Sequence, residues 1–260
     1  MTIDFVKYSG TGNDFILIDD RKEFFPSDNL QLISALCDRH FGVGSDGLML
    51  IRESKDTDFE MIFFNPDGSK SLCGNGSRCS VHFARSLGLT REQGSFVTTD
   101  GVHHYKMLSD NEIAIDMKPP SGAEKIDDFD FLNTGSPHLI VYTDDLESKD
   151  VYSEGQRLRS IPPFNQEGTN VNFVSDLGND KIEMRTYERG VENETLSCGT
   201  GVTAAALNLK RDELGNHLVS VGTKGGDLRV HFKTLENGFS DIWLEGPVLK
   251  IFEGVYDTGE

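Results

Sequence analysis

The chain has 260 residues, of which 37% are hydrophobic and 26% charged, and this balance is typical of a folded globular protein rather than a disordered one. The formal net charge of −18 argues against a nucleic-acid partner, because such proteins present clustered Lys and Arg to the phosphates. No apolar run approaches the length of a membrane span, and the first residues lack the layout of a secretory signal. We therefore expect a cytoplasmic protein with no membrane partner.

In the first half of the chain, strands and helices are predicted to alternate. Residues 15–19 (FILID) and 59–64 (FEMIFF) are rich in β-branched and aromatic side chains and predict two strands. Helical periodicity extends over residues 28–40 and over residues 77–89, and each helix has one apolar face. Those faces carry Leu30, Ile33, Leu36 and Cys37 in the first helix and Cys79, Phe83, Ala84 and Leu87 in the second. We therefore expect Cys37 and Cys79 to be core residues rather than reactive ones.

The second half of the chain repeats the first. TGSPHLIV (134–141) resembles TGNDFILI (11–18), and IEMRTYE (182–188) resembles FEMIFFN (59–65), both at an offset of 123 residues. The segments HLIVYT, IEMRTY and, near the C-terminus, VLKIF predict strands. The segment GVTAAALNLKRDEL (201–214) predicts a helix that is apolar almost all round its first turns and is therefore buried. Three similar blocks in one order, counting the cysteine turns defined below, predict an internal duplication.

The predicted fold class is α/β (α+β), with two homologous halves related by a pseudo-twofold axis. In each half, strands are expected to wrap around a buried central helix. Pro and Gly cluster at residues 116–125, where the periodicity lapses, so this segment is the expected boundary. The N-terminal half then covers residues 1–117 and the C-terminal half residues 118–246.

Two cysteines lie in matching glycine-rich turns, SLCGNGSRC (71–79) and TLSCGTG (195–201), which we name the first and second cysteine turns. Each turn places its cysteine, Cys73 or Cys198, in C-G-x-G at the entrance to a predicted buried helix. The N–H groups and the positive dipole end at a helix N-terminus favour a thiolate and can hold a carboxylate. The glycines, which lack a Cβ atom, let backbone amides approach a ligand closely.

The matching turns suggest a shared chemistry for the two thiols. If the halves pack about a pseudo-twofold axis, one thiolate can remove a proton from a carbon while the opposite thiol delivers one to the other side. Such a reaction inverts a stereocentre without a cofactor. With four cysteines at scattered spacings, the chain has neither a disulfide framework nor a zinc-ligand pattern, so no metal is expected.

The sequence resembles the diaminopimelate epimerase family along nearly its whole length. The resemblance is carried by GTGNDF (10–15), DRHFGVGSDG (38–47), FNPDGSKSLCGNGSRC (64–79), TGSPH (134–138), GTNVNF (168–173) and YERGVENETLSCGTG (187–201). It implies an isomerase that needs no cofactor and interconverts LL- and meso-2,6-diaminopimelate in lysine and peptidoglycan-precursor biosynthesis. It also implies that each half is a barrel-like sheet around a central helix, with the active site in the cleft between the halves. The last strand, within residues 247–260, is implied to pack back onto the first half, and the protein can be a homodimer.

The resemblance further implies roles for individual residues. Cys73 and Cys198 match the two acid/base thiols, and His138 and Glu188 match residues that tune them. The residues that match substrate-binding positions are Asn13, Asn65, Asn170, Glu188 and Arg189, together with the carboxylate-cradling amides of Gly74, Asn75, Gly199 and Thr200. These types suit an amino-acid substrate, because an Asn side chain offers a donor and an acceptor and an Arg can clamp a second carboxylate.

Two positions depart from the family pattern at the distal end of the substrate. Position 47 is Gly where many members have Gln, and position 136 is Ser where they often have Asn. At the offset of 123, position 47 corresponds to Asn170 and position 136 to Asn13. Ser136 keeps a hydrogen-bonding side chain, whereas Gly47 offers only its backbone.

Three other interpretations remain open from the sequence. A related cofactor-free racemase for proline, hydroxyproline or histidine would keep two cysteines but would not need a clamp for a second charged end. A non-catalytic module could hold an acidic ligand while its cysteines only pack. A redox protein could cycle a disulfide between Cys73 and Cys198, although the chain lacks a C-x-x-C motif.

Overall fold

The computed structural model describes residues 1–71, 73–120, 122–165 and 167–259. It divides into two compact units: unit 1 comprises Met1–Ile115 and Gly246–Glu260, and unit 2 comprises Asp116–Glu245. Residue 121, which falls in the predicted boundary segment, lies outside the described residues.

Unit 1 contains a mixed sheet and two helices. Its strands are β1 (Thr2–Gly10), β2 (Asn13–Asp19), β3 (Gly47–Arg52), β4 (Phe59–Phe64), β5 (Gln93–Thr98), β6 (Gly101–Ser109), β7 (Glu112–Asp116) and β17 (Leu249–Asp257), and its helices are α1 (Leu30–Cys37) and α2 (Gly74–Ser86). The strands pair in the order β17, β1, β2, β3, β4, β5, β6, β7. The β2–β3 and β4–β5 pairs are parallel, and the other pairs are antiparallel.

Unit 2 contains a sheet of the same kind. Its strands are β8 (Glu124–Ile126), β9 (Phe129–Asn133), β10 (Pro137–Tyr142), β11 (Asn170–Gly178), β12 (Lys181–Glu188), β13 (Asn193–Thr195), β14 (Gly215–Thr223), β15 (Gly226–Leu235) and β16 (Gly238–Pro247), and its helices are α3 (Val151–Leu158) and α4 (Gly199–Leu209). The strands pair in the order β8, β9, β10, β11, β12, β14, β15, β16, and the short β13 also pairs with β12. The β10–β11 and β12–β14 pairs are parallel.

The two units therefore share one topology, because parallel pairs occur at the same two places in both strand orders. Register agrees as well: Leu48 is opposite Phe64 in unit 1, and Val171 is opposite Tyr187 in unit 2, each at the offset of 123. The predicted duplication is confirmed.

Each sheet curves around one buried helix. Helix α2 packs against β1, β2, β3 and β4, and α4 packs against β9, β10, β11, β12, β14 and β15. In α4 the small residues from Thr203 to Ala206 are fully buried, which lets the surrounding strands approach the helix closely. The predicted central helices are confirmed.

The helix limits differ from the predicted ones for identifiable reasons. Both central helices begin directly after their cysteine, earlier than the apolar periodicity indicated. Helix α4 ends at Leu209 rather than at residue 214, because Lys210 and Arg211 leave the core to form ion pairs with Asp180 and Asp130, each with an N–O distance of 2.6 Å.

Helix α1 is shorter than predicted and begins at Leu30, after an N-cap at Asn29. Its residues Ile33, Leu36 and Cys37 are buried, as predicted. Leu30 is 51% exposed, so its predicted place on the buried face is wrong. The side chain of this first helical residue packs over the turn at Gly68 instead of entering the core. Among the described residues, every helix is too short or too polar to cross a membrane.

Candidate functional site

The cysteines of the two cysteine turns occupy the same structural position. Cys73 is the N-cap of α2, with φ −127° and ψ 111°, and Cys198 is the N-cap of α4, with φ −129° and ψ 107°. Each cysteine carbonyl accepts the first helical hydrogen bond at 2.8 Å, from the N–H of Ser77 or of Val202. In the described part of the chain neither cysteine side chain forms a capping hydrogen bond with a backbone N–H of its helix, so the sulfurs do not close the helix N-termini.

The other two cysteines are core residues, as predicted. Burial raises the pKa of Cys37, and burial raises the pKa of Cys79 to about 12. A thiol in such an environment stays protonated at neutral pH and is a poor nucleophile.

The second glycine of each C-G-x-G motif has a packing role that the sequence did not reveal. A Cβ atom at Gly76 would lie 2.2 Å from Cε of Met49 on β3. A Cβ atom at Gly201 would lie 2.5 Å from Oδ1 of Asn172 on β11. Both distances are far below van der Waals contact, so these glycines let each central helix approach its sheet closely.

The first cysteine turn contains a chain of hydrogen bonds that links two predicted site residues. The buried Arg78 of α2 donates from Nη2 to Oδ1 of Asn75, at 2.9 Å, and to Oγ1 of Thr11, at 2.8 Å. Asn75 donates from Nδ2 to Oδ1 of Asn13 at 2.7 Å. Asn13 in turn donates to Oδ2 of Asp46 at 3.0 Å. In this series of hydrogen bonds, the side-chain amides of Asn13 and Asn75 each have only one orientation that satisfies both of their partners.

An ion cluster supports the far end of this chain. The Lys7 ammonium lies 2.7 Å from Oδ2 of Asp14, and Arg39 lies 2.6 Å from Oδ1 of Asp14 and 2.7 Å from Oδ1 of Asp46. Burial would raise the pKa of the Asp14 carboxyl, but hydrogen bonds from Arg39 and Lys7 outweigh it and lower that pKa. The cluster therefore keeps the Asp46 carboxylate in place as the acceptor for Asn13.

Asn65 lies in the loop that leads from β4 to the first cysteine turn. Its Nδ2 donates to Oγ of Ser69 at 3.0 Å and lies 3.2 Å from both the Ser69 carbonyl and Oγ of Ser71. These bonds fold the loop back on itself and leave Asn65 half-buried.

Position 47, where the sequence departs from the family pattern, is filled by a neighbouring ring. A Cβ atom at Gly47 would lie 2.3 Å from Cε2 and 2.6 Å from Cζ of Phe63 on β4. The buried Phe63 ring also packs edge-on against Phe15, with centroids 6.1 Å apart. An apolar ring therefore occupies the space that a longer side chain at position 47 would use.

The second cysteine turn is backed by a buried histidine. Nε2 of His138 lies 2.8 Å from Oγ1 of Thr200 and 2.9 Å from Oγ of Ser136. Oγ1 of Thr200 lies 3.4 Å from Sγ of Cys198. A polar path thus connects the imidazole to the sulfur through one threonine hydroxyl.

The protonation state of His138 follows from its surroundings. Burial lowers the pKa of His138 to about 3, so the ring is neutral at pH 7. Asn172 donates from Nδ2 to the Leu139 carbonyl, at 3.0 Å, and its Oδ1 accepts from Thr186, so its Nδ2 also faces Nδ1 of His138, at 3.1 Å. Nδ1 is then an acceptor and Nε2 carries the proton, which it can donate to Thr200.

Asn170 lies at the start of β11, beside Ser136. Its Nδ2 donates to Oγ of Ser136 at 3.2 Å and to the Pro137 carbonyl at 2.9 Å. Its Oδ1 accepts the backbone N–H of Arg189 at 2.9 Å, which ties the end of β12 to this side of unit 2.

Glu188 and Arg189 lie at the end of β12. Oε2 of Glu188 accepts a hydrogen bond from Oγ1 of Thr195 at 2.9 Å. The Arg189 side chain is exposed, and its Nη1 donates to the Glu167 carbonyl at 3.3 Å. Because this guanidinium is exposed and its bond to Glu167 is long, it can turn toward a carboxylate with little loss of hydrogen-bonding energy.

Within each unit, the structure brings part of the predicted site residues together. Asn13, Asn75 and Gly74 gather at the first turn of α2, and His138, Asn170, Gly199 and Thr200 gather at the first turn of α4. Sequence reasoning missed Arg78 and Asn172, although a charged residue in the first turns of a predicted central helix was a visible signal for Arg78. Within the described residues, no group of three or more His, Cys, Asp or Glu side chains could hold a metal ion.

Comparison with known proteins shows the family of this chain. The sequence profile of the family described as diaminopimelate epimerase matches residues 5–122 and 131–248, one match in each half. The diaminopimelate epimerase of Flavobacterium psychrophilum is 43% identical over 249 residues, which cover 95% of this chain and 97% of the relative. That of Aquifex aeolicus is 38% identical over 273 residues, which cover 97% of each chain.

Solved structures show the same fold at low identity. A Bacillus anthracis phenazine biosynthesis protein of the PhzF family has a TM-score of 0.76 at 15% identity, covering 98% of this chain and 99% of that one. A hydroxyproline epimerase from Agrobacterium vitis has a TM-score of 0.67 at 14% identity, covering 98% and 92%. Because the family profile matches both halves and the sequence relatives cover nearly all of the chain, the chain belongs to the diaminopimelate epimerase family.

Proposed function

We propose that the protein is an epimerase that needs no cofactor and interconverts LL- and meso-2,6-diaminopimelate, with Cys73 and Cys198 as its acid/base pair. The observation that carries this proposal is the identical N-cap position of the two cysteines on the two buried helices. The names of the relatives support the substrate.

The proposed reaction balances with two thiols alone. One thiolate takes the α-proton, and the electron pair of the broken C–H bond stays on the carbon as a carbanion delocalised into the carboxylate. The other thiol gives its proton to the opposite face of that carbon and becomes the thiolate. The first cysteine ends as a thiol, so the enzyme is then set for the reverse direction.

The helix N-termini supply the electrostatic part of the proposal. The amides of Gly74, Asn75, Gly199 and Thr200 are proposed to cradle the reacting carboxylate, whose negative charge grows as the carbanion forms. Donors that are already in position stabilise developing charge without reorganisation. The second glycine of each motif supports this role, because its lack of a Cβ atom lets each helix lie close to its sheet.

The distal end of the substrate is proposed to bind Asn13, Asn65, Asn170, Glu188 and Arg189. The fixed orientations of Asn13 and Asn170 support this assignment, since an oriented amide loses little freedom on binding. Glu188 could take the ammonium group and Arg189 the second carboxylate.

We further propose that His138 and Glu188 tune the thiols. The support for His138 is its contact with Thr200, whose hydroxyl reaches Sγ of Cys198. As a neutral donor, His138 would orient the Thr200 hydroxyl toward the sulfur and stabilise the thiolate by a hydrogen bond.

One observation favours a second candidate. The Phe63 ring fills the space of a side chain at position 47, so this part of the site offers an apolar wall. Such a wall suits an amino acid without a second charged end, as in a racemase for proline, hydroxyproline or histidine.

The experiment is a chiral assay of wild type, Cys73→Ala and Cys198→Ala with LL-diaminopimelate, proline, hydroxyproline and histidine, under reducing conditions. Cys37→Ala is the matched control. We expect inversion of diaminopimelate only, lost at least about 100-fold in both site variants and kept in the control. Inversion of another amino acid would keep the two-thiol mechanism but change the assigned substrate. No inversion of any of the four amino acids would contradict an enzymatic role.

Localisation and assembly are proposed with the function. We place the enzyme in the cytoplasm, where reducing conditions keep two acid/base thiols active. A homodimer is supported by β17, which exposes Leu249, Ile251, Phe252 and Val255. Sedimentation of wild type and Val255→Lys is the test: loss of a dimer in the variant supports this surface, and a monomeric wild type excludes it.

A further inference from the structure

Arg78 is a charged residue buried completely within unit 1. Its side chain is 0% exposed, and every residue of α2 from Gly74 to Val81 is buried. Only Nη2 forms hydrogen bonds, to Asn75 and Thr11, both of which are neutral. Nε and Nη1 are buried with no hydrogen-bond partner among the described residues. A guanidinium in this state is far from satisfied, because a buried cation normally has an anion beside it.

The second cysteine turn has no such charge. The equivalent helix position in α4, at the offset of 125 residues that relates Cys73 to Cys198, is Thr203. Its hydroxyl donates to the Gly199 carbonyl at 2.9 Å, which is a local helical contact. The duplicated turns therefore differ by one full positive charge behind the first turn of the helix.

The location of the Arg78 guanidinium adds to the difference in charge between the two cysteine turns. Helical side chains lean back toward the N-terminus, and the bond from Arg78 to Asn75 shows that this guanidinium reaches the first turn of α2. That turn already carries the positive end of the helix dipole. Two positive contributions at one buried place favour an anion there more than either does alone.

The ionisable groups around this turn leave Cys73 as the group that can supply the anion. Burial lowers the pKa of Arg78 to about 10, so it stays charged at neutral pH. Cys79 on the same helix is held neutral, since burial raises its pKa to about 12. Tyr8 on β1 is also neutral, because burial raises its pKa.

The carboxylates of the neighbouring strands are already paired. On β2, Asp14 pairs with the ammonium of Lys7 and the guanidinium of Arg39, and in the loop before β3 Asp46 pairs with Arg39. On β3 and β4 the ionisable side chains are Arg52 and Glu60, which are opposite each other at the other end of the strands.

We propose that Arg78 is a positioning residue that fixes the amides of Asn75 and Asn13 and makes Cys73, rather than Cys198, the thiolate of the resting enzyme. The assignment of acid/base roles to these cysteines rests on the proposed function. Arg78 holds Oδ1 of Asn75, so Nδ2 of Asn75 must face Asn13. Arg78 thereby acts on substrate binding through the two amides and on the thiol through its charge.

The test measures the rate of iodoacetamide labelling of Cys73 and Cys198 against pH, by peptide mass spectrometry of the intact enzyme. The variants are Arg78→Met, which removes the charge, and Arg78→Lys, which keeps it but cannot reproduce the planar fork. Arg85→Met, on the more exposed part of the same helix, is the matched control.

In wild type we expect the labelling of Cys73 to begin at lower pH than that of Cys198. In Arg78→Met the midpoint for Cys73 should move up by about one pH unit or more, while the midpoint for Cys198 stays in place. In Arg78→Lys the Cys73 midpoint should stay within about half a pH unit, whereas KM should rise roughly 10-fold because the amides lose their fixed orientation. The control should match wild type.

Two results would overturn the proposal: Cys198 labelling at lower pH than Cys73 in wild type, or a Cys73 midpoint unchanged by Arg78→Met. If Arg78→Met fails to fold, the proposal is still tested by the order of the two labelling midpoints in wild type and by the Cys73 midpoint and KM of Arg78→Lys. An α-proton exchange assay on the same samples distinguishes a failure of the proposed function from a failure of the role proposed for Arg78. Labelling as expected without any exchange rejects the proposed function, whereas exchange with an unchanged Cys73 midpoint rejects only the role of Arg78.

Discussion

The two cysteine turns have the same backbone and different surroundings. The N-cap dihedral angles of Cys73 and Cys198 differ by 4° or less, and both cysteines precede a buried helix held close to its sheet by a glycine. Behind the first turn lies the buried cation of Arg78, and behind the second lies the neutral His138. Duplication therefore preserved the position of the sulfur while the charge behind it diverged.

The side chains that line the sheets diverged in the same way. Where unit 1 has the apolar Phe15, Met49 and Phe63, unit 2 has a hydrogen-bonded set at the same offsets, namely His138, Asn172 and Thr186. The apolar side chains of unit 1 do not screen the charge of Arg78. The polar side chains of unit 2 instead orient His138 and, through it, the neutral hydroxyl of Thr200. A pair of thiols that must differ in protonation is served by two such environments.

The largest expected contrast separates the cysteine turns from the core thiols. At pH 8 a group with a pKa of about 12 is ionised in only about one molecule in 10⁴, so Cys79 should label at least about 100-fold more slowly than Cys73. Peptide mapping after brief alkylation measures both rates, and substrate should protect Cys73 and Cys198. Equal labelling of Cys79 and Cys73 would remove the distinction.

The next contrast concerns the neutral path in the second turn. Thr200→Val removes the hydroxyl between His138 and Cys198, and a hydrogen bond to a charged group contributes about 1.5–3 kcal/mol. We expect kcat/KM to fall by about 10- to 100-fold. Thr203→Val, on the same helix, is the control and should change it by less than about 3-fold, since its bond is a local helical one. Equal losses in both variants would indicate a general effect on α4.

A smaller effect tests the packing at position 47. Gly47→Ala places a Cβ atom against the Phe63 ring and should destabilise the fold by about 1–3 kcal/mol in urea unfolding. Phe63→Leu opens that space, so the double variant should lose less stability than the sum of the single losses. Additive losses would show that the ring does not limit side chains at position 47.

The last expected contrast is a difference in pH dependence. The folded-state pKa of His138, about 3, is below its unfolded value near 6.5, so the unfolded chain binds more protons between these values. The stability that His138 contributes is present above about pH 6.5 and is lost as the pH falls toward 3.

This contribution can be isolated with variants. It amounts to at most about 1.4 kcal/mol per pH unit, and His138→Gln should remove it from the slope of unfolding free energy between pH 4.5 and 6.5. His40→Gln, at an exposed position, should keep the wild-type slope. An unchanged slope in His138→Gln would mean that His138 titrates alike in both states.

The backbone of both cysteine turns could be predicted from the sequence, because it follows from local patterns. A glycine-rich turn before an apolar helix places Cys73 and Cys198 at the helix entrance, and the repeat offset predicts the shared topology. The core position of Cys79 follows from helical periodicity alone.

The contacts behind the turns could not be predicted, because they depend on which residues of neighbouring strands face the helix. The contact between Gly47 and Phe63 requires the register of β3 and β4, and that between Gly201 and Asn172 requires the distance of α4 from β11. The exposure of Leu30 depends on where α1 begins, which Asn29 determines as the N-cap.

The most direct test of the central claim is the position of deuterium in the first molecules turned over. Wild type is mixed with LL-diaminopimelate in deuterium oxide and stopped at low conversion, and product and recovered substrate are analysed by mass spectrometry. Two thiols with separate roles predict one deuterium in the product and none in the recovered substrate. Equal deuterium in both would mean that one group removes and returns the proton, and would contradict the assignment of one thiol to each cysteine turn.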